Sequence, residues 1–200
     1  MLQRSAEWWQ ARLGCVGASS VADVLATTKT GEAASRANLR ARLVVERLTG
    51  VPAETYFNAA MQHGIDTEAE ARAVYEAHMG VFVQEEGWAP HPSIPFSGCS
   101  PDGLVEADGL VELKCPQPAA HLDMWLTGKV PTRYFQQVMW QMACTGRTWC
   151  DVASYQPLFP EGKRLWVKRV ERDDERIAVM EEAVRVFLAE VAEVVEKLAA

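Results

Sequence analysis

Apolar residues recur at helical spacing in several long stretches of the chain and alternate with polar ones between them. The longest stripe is Ile177, Met180, Val184, Phe187, Leu188, Val191, Val195 and Leu198, which predicts a long, acidic C-terminal helix packed on a sheet or on a neighbouring subunit. Thr132 to Cys144 predicts a second helix, ended by Gly146, with Tyr134, Val138, Gln141 and Met142 on one face and Gln137 on its flank. Ser35 to Thr49 predicts a third, ended by Gly50 with Pro52 beyond, its apolar face made of Ala37, Ala41, Val44, Val45 and Leu48. Asn58 to His78 predicts a fourth, broken near His63-Gly64 and stopped by Gly80, with Glu68, Ala71, Arg72 and Tyr75 at helical spacing. Shorter helices are expected at Glu7 to Gly14, after Ser19 or Ser20 acting as N-cap, and at Ala119 to Leu126. Strand-like runs lie at Val81 to Trp88, Asp151 to Gln156 and Arg164 to Val170.

The most informative alternation is Ser97 to Pro116, where two short apolar runs flank Asp108-Gly109, a strong hairpin-turn signal. Successive strand residues point to opposite faces, so Glu112 and Lys114 share one face and Val111 and Leu113 the other. The pair is then about 7 Å apart along the strand. Folding at the turn brings Asp102 toward them, placing two carboxylates and one ammonium at a sheet end. Two oxygen donors of this kind suit a hard divalent ion such as Mg²⁺ or Mn²⁺. A lysine beside them can orient or deprotonate a water, or stabilise charge on a phosphate. A lone Glu-x-Lys reads as an exposed charge pair; the longer pattern, Pro101-Asp102-Gly103 and then Glu112-Leu113-Lys114, resembles the PD-(D/E)-x-K nuclease signature.

Composition narrows this picture. Two hundred residues at 48% hydrophobic content fit one domain with a sizeable core. The chain shows no apolar run of about 20 residues, and Met1 to Trp9 lacks the apolar segment of a signal peptide, so an intracellular, cytoplasmic protein without a membrane partner is expected. Five scattered cysteines without a C-x-x-C pair exclude a zinc or iron–sulfur framework and fit free thiols. The four histidines show no ligand spacing. A net charge of −7 argues against a broad basic DNA-coating surface but leaves room for a narrow basic cleft. Arg36, Arg40 and Arg47 form a stripe that fits solvated surface better than a DNA contact. At the N-terminus, Arg12 precedes a possible helix start at Ser19, a combination suited to binding phosphate.

Taken together, Trp8-x-x-x-Arg12-Leu13-Gly14, Ala18-Ser19, Gly64 to Arg72, Ser100 to Leu104, Gly109-Leu110 with Glu112 to Pro116, Tyr134 with Gln137-Val138, and Tyr155-x-Pro157 resemble the lambda-exonuclease-like, YqaJ-type viral recombinase family of PD-(D/E)-x-K nucleases. The resemblance runs from Trp8 to about Val170 and rests on several blocks in the right order. It implies an α/β fold: a restriction-endonuclease-like core in a single nuclease domain over residues 1–200, with a central mixed β-sheet flanked by α-helices and a long C-terminal helix. It also implies a Mg²⁺-dependent exonuclease, with Mn²⁺ substituting, that degrades one strand of duplex DNA from its 5′ end and leaves a 3′ overhang. By the same resemblance Asp102, Glu112 and the Leu113 carbonyl bind metal, Lys114 positions the attacking water, Glu68 completes the site, and Gln137 supports it. Arg12, Ser19 and Ser100 bind the 5′ phosphate. Implied partners are double-stranded DNA ends, further copies of the chain in a ring such as a trimer, and a single-strand annealing protein. Two alternatives share these residues: an endonuclease with the same core, and a DNA-end-binding subunit without catalysis.

Overall fold

The structure, a computed structural model, describes residues 3–29, 31–52 and 59–200, with side chains throughout except at 59–66. From the N-terminus come α1 (Ala6–Arg12), β1 (Val16–Gly17), a 3₁₀ turn (Ala18–Ser20), α2 (Val21–Val24), β2 (Thr27–Thr28) and β3 (Gly31–Glu32). Then follow α3 (Ala34–Thr49), α4 (Ala59–Met79), β4 (Val83–Gln84), β5 (Ala89–Pro90), β6 (Ser97–Cys99), β7 (Gly103–Val105) and β8 (Gly109–Lys114). The chain ends with α5 (Pro118–Thr127), α6 (Thr132–Thr145), β9 (Trp149–Tyr155), a 3₁₀ turn (Glu161–Lys163), β10 (Leu165–Glu171) and α7 (Asp174–Ala199).

The central sheet has the order β10-β9-β8-β7-β4. β8 and β9 are parallel, with Glu112 opposite Val152, and the other pairs are antiparallel, so the sheet is mixed as expected. β9 is buried along its whole length, and its two polar members are satisfied there: Asp151 accepts from Arg169 and Tyr75, and Ser154 bonds His121. α6 packs on one face, where Leu110, Cys150 and Val152 join the main core with Val138, Met139 and Met142. α4 covers the other face, where Tyr75 meets Val111, Leu113 and Ala153. A smaller sheet, β1-β6-β5, pairs β1 and β6 in parallel, with Gly17 opposite Gly98.

Several elements differ from the sequence-based expectation. The hairpin turn is not Asp108-Gly109: Val105 pairs with Gly109, Glu106 to Asp108 form the loop, and Glu106 takes the positive φ of 51°. Gly109 is a strand residue, and its missing side chain leaves room for the Trp149 ring, 2.0 Å from where a Cβ would stand. That ring is held by an indole N–H donating to Asp108 at 3.2 Å and by the Arg169 guanidinium, 3.5 Å from its centroid. Gly109→Ala should therefore destabilise the fold by about 1–3 kcal/mol and lower Tm by several degrees. An unchanged Tm in a thermal melt would show that the ring yields freely.

α4 runs unbroken through His63-Gly64, because one glycine in a helix costs only about 1 kcal/mol; the expected start at Asn58 and the His63 side chain lie outside the described residues. Val81 to Trp88 contributes only the two-residue β4. α3 buries Leu39, Leu43, Val44 and Glu46, whereas Val45 and Leu48 are exposed. The rotation follows from a long-range contact: the buried Glu46 carboxylate accepts the Gly14 backbone N–H at 2.9 Å. Arg36 and Arg40 pair with Glu32 and Glu190, and Arg47 donates to the Gly14 carbonyl and stacks on Phe96, so these arginines are engaged within the chain. The α7 stripe packs on α3, α2 and α6 rather than on the sheet. Its last member, Leu198, is exposed. No helix among the described residues is long and apolar enough to cross a membrane.

Candidate active site

The alternation of β8 sends Glu112 and Lys114 toward α6, and helical spacing brings Gln137 and Gln141 of α6 down onto them one turn apart. Glu112 is 2% exposed and would be a costly isolated charge; three donors satisfy it. Lys114 Nζ donates to Glu112 Oε1 at 2.6 Å, Gln137 Nε2 donates to the same oxygen at 2.5 Å, and Gln141 Nε2 donates to Oε2 at 2.5 Å. Lys114 also donates to Gln137 Oε1 at 3.1 Å, and its ammonium lies 5.0 Å from the Tyr134 ring centroid. Burial by itself would lower the Lys114 pKa, but the nearby Glu112 and Asp102 carboxylates outweigh it and hold the ammonium above its ordinary value.

Asp102 precedes β7 at the sheet edge, as its place in the hairpin predicts. β7 stops at Gly103, opposite Val111, so no β7 backbone faces Leu113; the Leu113 N–H instead donates to Asp102 Oδ2 at 2.7 Å. The Leu113 carbonyl, on the same side of the strand as its N–H, is turned toward the same edge. Burial, and then the charge of Glu112, raise the Asp102 carboxyl well above the usual carboxylate range. A cation between the two acids would relieve that repulsion. Two carboxylates and a carbonyl fit a divalent ion that keeps several waters and takes further ligands from substrate phosphate. Burial pushes the Cys115 thiol up to about 12.

Glu68 is the carboxylate expected to complete the site. It projects from α4 and is paired with Arg4 at 2.9 Å and Arg72 at 3.6 Å. It is near enough to raise the Asp102 pKa, but among the described residues no three Asp, Glu, His or Cys side chains form a metal cage.

The N-terminal residues form a second cluster next to the first. The Arg12 guanidinium lies 3.8 Å from the Trp8 ring centroid, 6.0 Å from Trp9 and 5.7 Å from Trp88. It crosses Gly17, whose Cβ would stand 3.8 Å from an Arg12 nitrogen. Burial, then the charge of Arg42, lower its pKa to about 10, and no carboxylate pairs with it among the described residues. An anion would supply the missing counter-charge. Trp8 itself donates its indole N–H to Ser100 Oγ at 2.8 Å, two residues before Asp102. The parallel pairing of β1 with β6 leads Ser19 and Ser100 out at the same end of the small sheet. Ser19 is not a helix cap: it lies in the 3₁₀ turn, exposed, with its carbonyl accepting from Arg133 at 3.2 Å. Ser20 precedes α2, but its hydroxyl accepts from Arg42 at 3.4 Å instead of capping.

The structure thus brings together Asp102, Glu112, Leu113, Lys114 and Gln137, ties Arg12 through Trp8 to Ser100 two residues before Asp102, leaves Ser19 exposed in its 3₁₀ turn, and pairs Glu68 with Arg4 and Arg72. Sequence reasoning placed Gln141 on a core face and missed its contact with Glu112; the available signal was its spacing of four from Gln137. His91, stacked on Trp140 at 5.0 Å, and His121, hydrogen-bonded to Ser154 at 2.8 Å, are buried structural residues.

A family model for the YqaJ-like viral recombinase domain matches residues 7–148. The chain is similar to the crystal structure of an alkaline exonuclease (LHK-Exo) from Laribacter hongkongensis, with 47% identity, a TM-score of 0.90, and 98% of this chain and 96% of that chain covered. LHK-Exo in complex with dAMP aligns at 47% identity and a TM-score of 0.91, over 97% and 96% of the two chains. A phage-related exonuclease from Haemophilus somnus 129PT, at 14% identity and a TM-score of 0.73 over 92% and 96%, shares the fold. No curated protein matches the chain.

Proposed function

This chain belongs to the YqaJ-like viral recombinase family, and from that premise we propose that it is a metal-dependent exonuclease that hydrolyses one strand of linear duplex DNA from its 5′ end, leaving a 3′ overhang. The carrying observation is the convergence of Asp102, Glu112 and Lys114 at one sheet end, with Arg12, unpaired with any carboxylate among the described residues, stacked on a tryptophan that bonds Ser100. The relative that is 47% identical is named an alkaline exonuclease and has been captured with dAMP, a mononucleotide of the kind that exonucleolysis releases.

In this reading Arg12, with Ser19 and Ser100, receives the terminal 5′ phosphate and sets the register of the strand. The scissile phosphodiester then lies over Asp102 and Glu112. Asp102, Glu112 and the Leu113 carbonyl would hold a Mg²⁺ ion, replaceable by Mn²⁺, which would supply Lewis-acid activation of water and of the phosphate. Lys114, kept charged by Glu112, stabilises negative charge on the phosphate or orients the water. Gln137 bridges Lys114 and Glu112 and keeps both in place. No covalent enzyme intermediate is required. The working unit in this proposal is a homo-oligomeric ring around duplex DNA, its positive potential confined to an inner channel despite the net charge of −7, and a single-strand annealing protein receives the 3′ strand.

Linear duplex bearing a 5′ phosphate is expected to be digested faster than the 5′-hydroxyl form, and Arg12→Ala should erase most of the difference. The loss of one charged hydrogen bond of about 1.5–3 kcal/mol corresponds to roughly 10- to 150-fold. Covalently closed circles should remain intact. Equal rates on the two linear substrates would discard the phosphate pocket, and cutting of circles would replace the exonuclease reading with an endonuclease.

A further inference from the structure

We propose that Gln141 is a positioning residue for the metal-binding carboxylate of Glu112, a role that rests on the nuclease reading above. A carboxylate offers about four acceptor directions, two on each oxygen. Oε1 of Glu112 accepts from both Lys114 and Gln137, whereas Oε2 accepts, among the described residues, only from Gln141. The one direction left open is therefore on Oε2, and the group that fixes this oxygen is the Gln141 amide. Without it the carboxylate would be anchored through Oε1 alone, and the open direction on Oε2 would be less firmly fixed.

The surroundings of Gln141 argue against a purely structural role. The side chain is fully buried, and its own Oε1 has no hydrogen-bond partner among the described residues. A methionine or leucine would fill the same core volume without burying an unsatisfied amide oxygen. The helix is seated here independently of the amide, since neighbouring Val138, Met139 and Met142 of α6 are buried in the main core. What the side chain adds is its contact with Glu112.

Gln141→Met preserves volume and removes the donor; Gln141→Asn keeps the amide but withdraws it by one methylene. Mn²⁺ binding to the DNA-free protein is measured by isothermal titration calorimetry, alongside single-turnover cleavage over a range of Mn²⁺ concentrations and a thermal melt. Loss of a group that orients a metal ligand typically weakens affinity by about 10- to 100-fold. Gln141→Met should show that loss in the titration, with a parallel rise in the Mn²⁺ concentration for half-maximal cleavage. Its rate at saturating Mn²⁺ should fall by a smaller factor, and Gln141→Asn should behave in the same way. Mn²⁺ affinity within about twofold of wild type, in whichever variant melts as a folded protein, overturns the role. Wild-type protein that neither binds Mn²⁺ nor cleaves linear DNA overturns the nuclease reading itself.

Discussion

Glu112→Gln and Asp102→Asn are expected to leave no measurable hydrolysis of linear duplex DNA in Mg²⁺ while the chain remains folded. Isosteric changes are chosen because the structure shows what alanine would do. Glu112→Ala leaves the Lys114 ammonium and two buried glutamine amides without their acceptor, a defect on the scale of about 3–5 kcal/mol for a broken buried pair. Lost activity in that variant would then be confounded with lost stability. In Asp102→Asn the amide oxygen can still accept the Leu113 N–H, so the edge of β8 stays tied down. Both isosteres nevertheless remove a negative charge from one of the two proposed metal carboxylates. Losing several kcal/mol of metal-assisted stabilisation corresponds to a rate lower by about 10³-fold or more. A nuclease assay on end-labelled linear duplex measures this directly. Digestion within about tenfold of wild type by either variant would remove that residue from the metal site.

Lys114→Ala should lower the single-turnover rate by about 10²-fold or more, the scale of one lost charge-stabilising group. The geometry sharpens the role expected from the sequence, where a lysine in this motif could have been either a base or a fixed charge. In the metal-free chain Glu112, then Asp102, hold the ammonium above its ordinary pKa against the opposing effect of burial. In the proposed reading its contribution is electrostatic, on the phosphate or on the orientation of water. Metal affinity, read by calorimetry, should largely survive the substitution, because an ammonium is not a ligand. A loss of less than about threefold would make Lys114 an ordinary partner of Glu112.

Periodicity was a good guide wherever a residue's environment follows from its own neighbours. α6, α7 and the strands β9 and β10 lie close to where their apolar patterns place them, and Gly50, Gly80 and Gly146 end their helices with φ near +70°. Strand alternation likewise put Glu112 and Lys114 on one face before any fold was known. Pattern failed where one distant contact outweighs local preference. Glu46 is buried because Gly14 requires an acceptor, and its burial turns α3 away from the Val45–Leu48 face. Gly109 looked like a turn residue because of Asp108, yet it is glycine to make room for Trp149, forty residues later in the chain.

The candidate site divides in the same way. By itself the sequence determined the types and order of the reactive groups: Asp102, then Glu112 and Lys114 two apart on one strand face, Gln137 on a following helix, and Arg12 near the N-terminus. Those follow from covalent spacing and from the fixed periods of strand and helix. Only the tertiary structure decided which groups meet across elements. It gave both oxygens of Glu112 to α6, Gln141 included, and paired Glu68 with Arg4 and Arg72. It also stacked Arg12 on a tryptophan tied to Ser100. The reason is physical: hydrogen bonds and ion pairs reach only a few ångströms, so their partners depend on how helices and sheets pack, and no period along one segment records that.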